Sequence, residues 1–226
     1  MLDPLDALKE KMVLVCKALQ KQRLLDGYGH VTARLPDGRI LSTPHMPPGK
    51  VTVRDLIILD REGNKLEGAG EPNGETPMHT SIYKARPDVQ CILHYHPDEL
   101  IVVAASGQEI KVIANCAVHF HRGTPIYDSP LLIRTDLLGD KVAATLGDRN
   151  AVLLRGHGGT VVANNLDTLL RLGIDLVRSA KLQIMAAPLG PLKTHSQEEC
   201  EQMVKGHERP HANRRYIDYY ISEVVD

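Results

Sequence analysis

A chain of 226 residues with 42% hydrophobic and 24% charged side chains can build a sizeable core under an ordinary polar surface. A net charge of −1, no Trp and one Phe leave neither an electrostatic footprint nor a stacking platform for nucleic acid, and nothing basic enough for an anionic membrane. Four scattered cysteines with no Cys-x-x-Cys pair, no run of 18 apolar residues and no signal-peptide core predict a cytoplasmic protein with reduced thiols.

Asp3-Pro4 reads as an N-cap and first helical residue. Leu5, Leu8, Met12, Val15, Cys16 and Leu19 follow at helical spacing, so residues 3–25 are predicted helical. Gly27 and Gly29 end that pattern. Short strands are expected at 30–34 and 39–43 around Pro36-Asp37-Gly38, then a stiff proline loop at 44–50. A second hairpin is read from strands at 56–60 and 64–67. Beyond it come a helix at 76–86, a buried strand at 89–96, a helix near 98–106 and a strand near 110–114. A helix at 135–146, a strand at 151–155 and a long helix at about 166–186 complete the pattern. From about 188 the chain reads as a polar tail carrying Tyr216, Tyr219 and Tyr220. Helices mixed with hairpin-joined strands predict one α/β domain over 1–226. Its expected form is a layered sandwich with a central, largely antiparallel sheet flanked by helices.

His94-Tyr95-His96 closes the strand at 89–96. Alternation puts both imidazoles on one side of the sheet, where they can converge on one ion. A His-x-His pair alone is as readily two unrelated histidines. His157 is the third candidate ligand: it follows an apolar strand and lies between Gly156 and Gly158, which permit a sharp turn. Three protein ligands with an open position are the pattern of a catalytic metal site. Glu75 stands at a helix start, where a carboxylate also suits the macrodipole with no further role.

Together, GHVTAR (29–34), ILSTP (40–44), Glu75 to His79, the run 82–97 and LLRGHGG (153–159) resemble the class II aldolase/adducin family, over roughly residues 8–186. The order and spacing of these segments are more specific than any one of them. The resemblance implies His94, His96 and His157 as ligands of one divalent metal ion per subunit, Zn²⁺ or Mn²⁺, with Fe²⁺ also compatible with imidazole. It implies Glu75, 19 residues before the first ligand, as the acid/base. It also implies a homotetramer with active sites at subunit interfaces. Tyr127 lies near where the aldolases place a tyrosine that reaches a neighbour's site, which makes it a candidate proton donor; a core tyrosine is the alternative.

The departures from the sugar-phosphate members carry information too. His30, His45 and Asn73-Gly74 stand at the places that cradle phosphate in those members, so phosphate recognition is not expected here. The GH-[VI]-[ST]-x-R form of 29–34 is similar to the branch holding adducin head domains and decarboxylases of hydroxylated aromatic or pyridine dicarboxylates. His30, His45, Asn73, Gly74 and Arg34 are therefore candidate contacts for a small carboxylate substrate, with a structural ion pair the alternative for Arg34. Arg155 reads equally as a site residue or an ion-pair partner, and His119, His121 and Arg122 as a solvated loop. The expected activity is a metal-dependent carbon–carbon lyase that decarboxylates a hydroxylated carboxylic acid. An aldolase on a hydroxy-keto acid or sugar phosphate and a non-haem iron oxygenase on an aromatic acid are the competing readings.

Overall fold

The computed structural model describes residues 3–207 and 214–225. Its strands are β1 (His30–Arg34), β2 (Ile40–Ser42), β3 (Ile57–Leu59), β4 (Lys65–Glu67), β5 (Cys91–Tyr95), β6 (Ile126–Tyr127), β7 (Ala151–Leu154) and β8 (Gly158–Ala163). The helices are α1 (Pro4–Lys21), α2 (Thr76–Ala85), α3 (Asp98–Ala105), α4 (Asp136–Leu146), α5 (Leu166–Ala186), α6 (Gln197–His207) and α7 (Arg214–Ser222). All eight strands join one sheet in the order β4-β3-β2-β1-β5-β8-β7-β6. Every pairing is antiparallel except β6 with β7, so the expected largely antiparallel sheet is the one found.

Strand alternation divides the core into two. Val31, Ala33, Leu93, Tyr95, Leu153 and Val161 point to one face, where α1, α3 and α5 cover them. Ile40, Ile92, Val152, Leu154 and Val162 point to the other and pack against Met78 and Ile82 of α2 and Val142 and Leu146 of α4. α1 and α5 begin where the sequence offers caps. Asp3 accepts from the Leu5 N–H at 2.8 Å, and Asn165 accepts from the Thr168 N–H at 2.8 Å at the start of α5.

Two expectations about strands fail. Residues 110–114 join no ladder, because their backbone is satisfied elsewhere: Ile110 N–H donates to Thr124 Oγ1, Lys111 N–H to Gln183 Oε1, and Val112 O accepts from the His195 N–H. Conversely, no strand is expected at 158–163, where the Gly158-Gly159 pair signals only a turn; β8 runs there, paired along β5 and β7. The tail is helical in part. Ile217 of α7 is buried, and Tyr216 donates to Asp175 Oδ1 of α5 at 2.9 Å, so α7 seals its own chain's core.

Candidate metal centre

The β1–β5–β8 register sets His30 beside His94 and His94 beside Thr160 on the face covered by α2. His96 lies two residues beyond His94, just past the end of β5. His157 sits in the tight turn between β7 and β8, closed by its N–H to Leu154 O at 3.0 Å. The glycine after it is required: φ at Gly158 is +153°, and a Cβ there would lie 2.3 Å from Tyr95 O. That close approach brings the His157 ring to 4.9 Å from His94 and 5.1 Å from His96, centroid to centroid.

Glu75 stands at the N-cap position of α2 without capping it; its Oε2 instead lies 3.5 Å from both His94 Nε2 and His157 Nε2. One donor atom from each of Glu75, His94, His96 and His157 lies within 4.8 Å of the others. His94 Nδ1 lies 3.0 Å from Gly159 O, a contact that requires the proton on Nδ1 and leaves the Nε2 lone pair facing the cluster. Yet that Nε2 is 2.9 Å from His96 Nε2, His157 Nδ1 has no hydrogen-bond partner, and His157 Nε2 meets only the Glu75 carboxylate, at 3.5 Å. Electron-rich atoms converging in this way suit a cation, and the three-imidazole set with a carboxylate beside it fits a divalent transition metal.

Burial lowers the pKa of His94 and takes His96 down to about 4, which keeps both imidazoles neutral as ligands must be. For Glu75 burial works upward. Contacts with His157 and His94 and the Ile133 N–H, 2.8 Å from Oε1, outweigh it and hold the group below the usual carboxylate range. Glu75 therefore rests as a carboxylate in spite of its burial.

A cavity of about 550 Å³ opens onto this cluster, lined in part by His30, His45, Asn73, Gly74, Leu132 and Arg134. Four of the expected substrate contacts thus lie around it. Asn73 already donates to Thr43 O at 2.8 Å, tying the two loops that carry His45 and Glu75. Arg34 does not belong here. Its guanidinium donates to the carbonyls of Val89, Tyr83 and Arg86 and lies over the Tyr83 ring, so it locks the C-terminal end of α2 and lines a separate cleft. Tyr127 packs on the α2/α4 side of the core and does not line the cavity. Arg155 pairs with Asp128, Arg122 with Asp148, and His119 lines a third, distant cleft.

Sequence reasoning missed two residues. Arg134 follows the loop amide that fixes Glu75 and lines the cavity; among the described residues it has no ion-pair partner. No periodicity marked it. Buried His79 lies one turn after Glu75 and bonds to His30.

The profile described as Class II Aldolase and Adducin N-terminal domain matches residues 10–184. The chain belongs to this family. A 3,4-dihydroxyphthalate decarboxylase of Arthrobacter keyseri is 29% identical over 196 residues, 79% of each chain. The L-fuculose phosphate aldolase of Escherichia coli (strain K12) is 27% identical over 195 residues, 85% of this chain and 90% of the aldolase. An aldolase II superfamily protein from Pseudomonas syringae superposes with a TM-score of 0.84 at 21% identity, covering 98% of this chain and 94% of its own. The fold is that of the class II aldolases, and the protein is a lyase of that type. Class II aldolases use a divalent metal, and the Glu75–His94–His96–His157 group is where this member could hold one. No helix among the described residues is long and apolar enough to cross a membrane.

Proposed function

We propose that the protein is a metal-dependent decarboxylase of a hydroxylated aromatic or heteroaromatic carboxylic acid. The observation that carries this reading is the pairing of the His94–His96–His157–Glu75 cluster with a cavity that offers Arg134, His30 and His45 in place of a phosphate cradle. The similarity to 3,4-dihydroxyphthalate decarboxylases supports it. A divalent ion held by His94, His96 and His157, Zn²⁺ or Mn²⁺, supplies a Lewis acid for the charge that develops when the carbon–carbon bond breaks.

The chain's own residues handle the substrate and the proton. Arg134 pairs with a substrate carboxylate, a charge-assisted contact that selects acids over neutral phenols. Glu75, resting ionised, takes the proton of the substrate hydroxyl and returns it to the carbon that loses CO₂; solvent then restores the hydroxyl proton. Ile133 N–H holds one oxygen of Glu75 throughout and leaves the other free for the transfer. Tyr127, remote from its own cavity, is assigned to a neighbour's site in a homotetramer.

Purified metal-loaded protein is expected to release CO₂ from 3,4-dihydroxyphthalate or a hydroxylated pyridine dicarboxylate and to leave L-fuculose phosphate intact. Cleavage of the sugar phosphate without CO₂ release would replace this reading with the aldolase one, which the Escherichia coli relative favours. Iron-dependent oxygen uptake in place of both would favour the oxygenase. Glu75→Gln should retain metal and lose about 10²- to 10⁴-fold in turnover; unchanged turnover removes Glu75 from the proton path.

A further inference from the structure

Four buried side chains behind the cavity form a continuous line of hydrogen bonds. His30 Nδ1 lies 2.8 Å from His79 Nε2, His79 Nδ1 lies 2.7 Å from Thr32 Oγ1, and Thr32 Oγ1 lies 2.8 Å from the Tyr83 hydroxyl. The line exists because two periodicities match. Residues i, i+4 and i+8 of a helix climb about 6 Å per step, and alternate residues of a strand climb about 6.6 Å. Glu75, His79 and Tyr83 on α2 therefore stay in step with His30, Thr32 and Arg34 on β1. At the cavity end, His30 Nε2 is buried without a protein partner.

We propose that Tyr83, Thr32 and His79 are positioning residues that fix His30 as an Nε2–H donor toward the carboxylate of the substrate. This rests on the decarboxylase reading for the identity of the ligand only. Thr32 has one proton to give, and among the described residues only His79 Nδ1 and the Tyr83 hydroxyl are within reach of its Oγ1, so the chain runs one way once that proton is satisfied. Its direction is set at Tyr83. A phenol donates better than it accepts, and its one other acceptor, Gln90 O, is 3.5 Å away and already receives the Arg34 N–H at 2.7 Å. Tyr83 accordingly donates to Thr32, Thr32 to His79 Nδ1, and His79 Nε2–H to His30 Nδ1. The remaining proton of His30 then sits on Nε2. With that proton in place the ring cannot be a metal ligand, although it lies 5.0 Å from the ring of His94. It can only donate, and an anionic oxygen in the cavity is the acceptor it suits.

The test is tautomer-sensitive NMR of ring-¹⁵N-histidine protein loaded with Zn²⁺, with His30 assigned from its absence in His30→Gln. The expected pattern is the Nε2–H tautomer in wild type and in His79→Gln, whose amide can still accept from Thr32 and donate to His30. His79→Leu should lose that preference. An Nδ1–H tautomer in wild type, or one indifferent to His79→Leu, overturns the proposal. A kinetic cycle adds a second readout. His79→Leu should lower kcat/KM at least ~10-fold in wild type and less than ~2-fold in a His30→Gln background, with His79→Gln close to wild type. Additive losses would mean that His79 acts on folding alone. If no acid is turned over, the decarboxylase reading fails while the tautomer result still decides this one.

Discussion

The two ends of α2 hold their polar neighbours in opposite states. At the Tyr83 end, the cationic Arg34 of β1 fills three carbonyls and stacks on an aromatic ring, so nothing polar is left over. At the Glu75 end, His30 Nε2 and His157 Nδ1 are buried with no hydrogen-bond partner, and His157 Nε2 has only the Glu75 carboxylate, at 3.5 Å. Each unmade bond of that kind costs about 1–3 kcal/mol, and a fold leaves several together only where something else completes them. One face of one strand thus runs from scaffold to site within five residues. Satisfaction of polar groups, rather than residue type, marks where the change occurs.

The largest effect should come from removing a ligand at the unsatisfied end. His94→Ala is expected to abolish stoichiometric metal, measured by elemental analysis, and to lower turnover by roughly 10³-fold or more. Metal retained at full occupancy would mean that the convergence of His94, His96, His157 and Glu75 is only a cluster of neutral core histidines. At the satisfied end the expected loss is one of stability. Arg34→Met removes the donor to the carbonyls of Tyr83 and Val89, while Arg86 O keeps the Val89 N–H, and should cost about 2–3 kcal/mol in urea unfolding. Its kcat per metal-loaded subunit should stay near wild type. A large fall in kcat with unchanged stability would return Arg34 to the substrate.

This contrast also shows what was legible beforehand. The convergence of Glu75, His94, His96 and His157 was readable because strand alternation at His94 and His96, a glycine-flanked turn at His157 and the family spacing to Glu75 are all local in sequence. The sheet was readable from its hairpins for the same reason. Arg34 was not, because its role is decided by carbonyls 49 to 55 residues away. The strand expected at 110–114 failed on long-range partners, the side chains of Thr124 and Gln183. His79 needed the pairing of two elements in register, and Arg134 lies on a loop tied to Glu75 by a hydrogen bond from the Ile133 N–H.

Arg134 offers a smaller and sharper test of the open end. Arg134→Leu removes a charge without touching the metal cluster, so metal content should not change. For an acid substrate, loss of one charge-assisted contact is expected to raise KM about 10- to 100-fold with kcat nearly constant. The difference should shrink as salt is added, because the side chain is solvent-exposed. A KM that ignores both the substitution and the salt would place the carboxylate elsewhere in the cavity.

The smallest effect concerns the link between the two ends. Burial pushes the His79 imidazole down to about 3, well below its ordinary value of 6.5. A histidine depressed in the folded state takes up its proton first in the unfolded one. Its contribution to stability is therefore complete above pH 6.5 and is lost as pH falls toward about 3. At pH 5 the loss from this one group is about 2 kcal/mol relative to pH 7 or above. His79→Gln keeps the hydrogen bonds and removes the titration. Whatever it costs at pH 7, its unfolding free energy should decline less steeply than wild type from pH 7 to 5, so the two curves approach by roughly that amount. Acid loss of bound metal acts on both proteins and cancels in the difference. Parallel curves would show that His79 can be protonated inside the fold, and a buried chain with a charged member could not run one way from Tyr83 to His30.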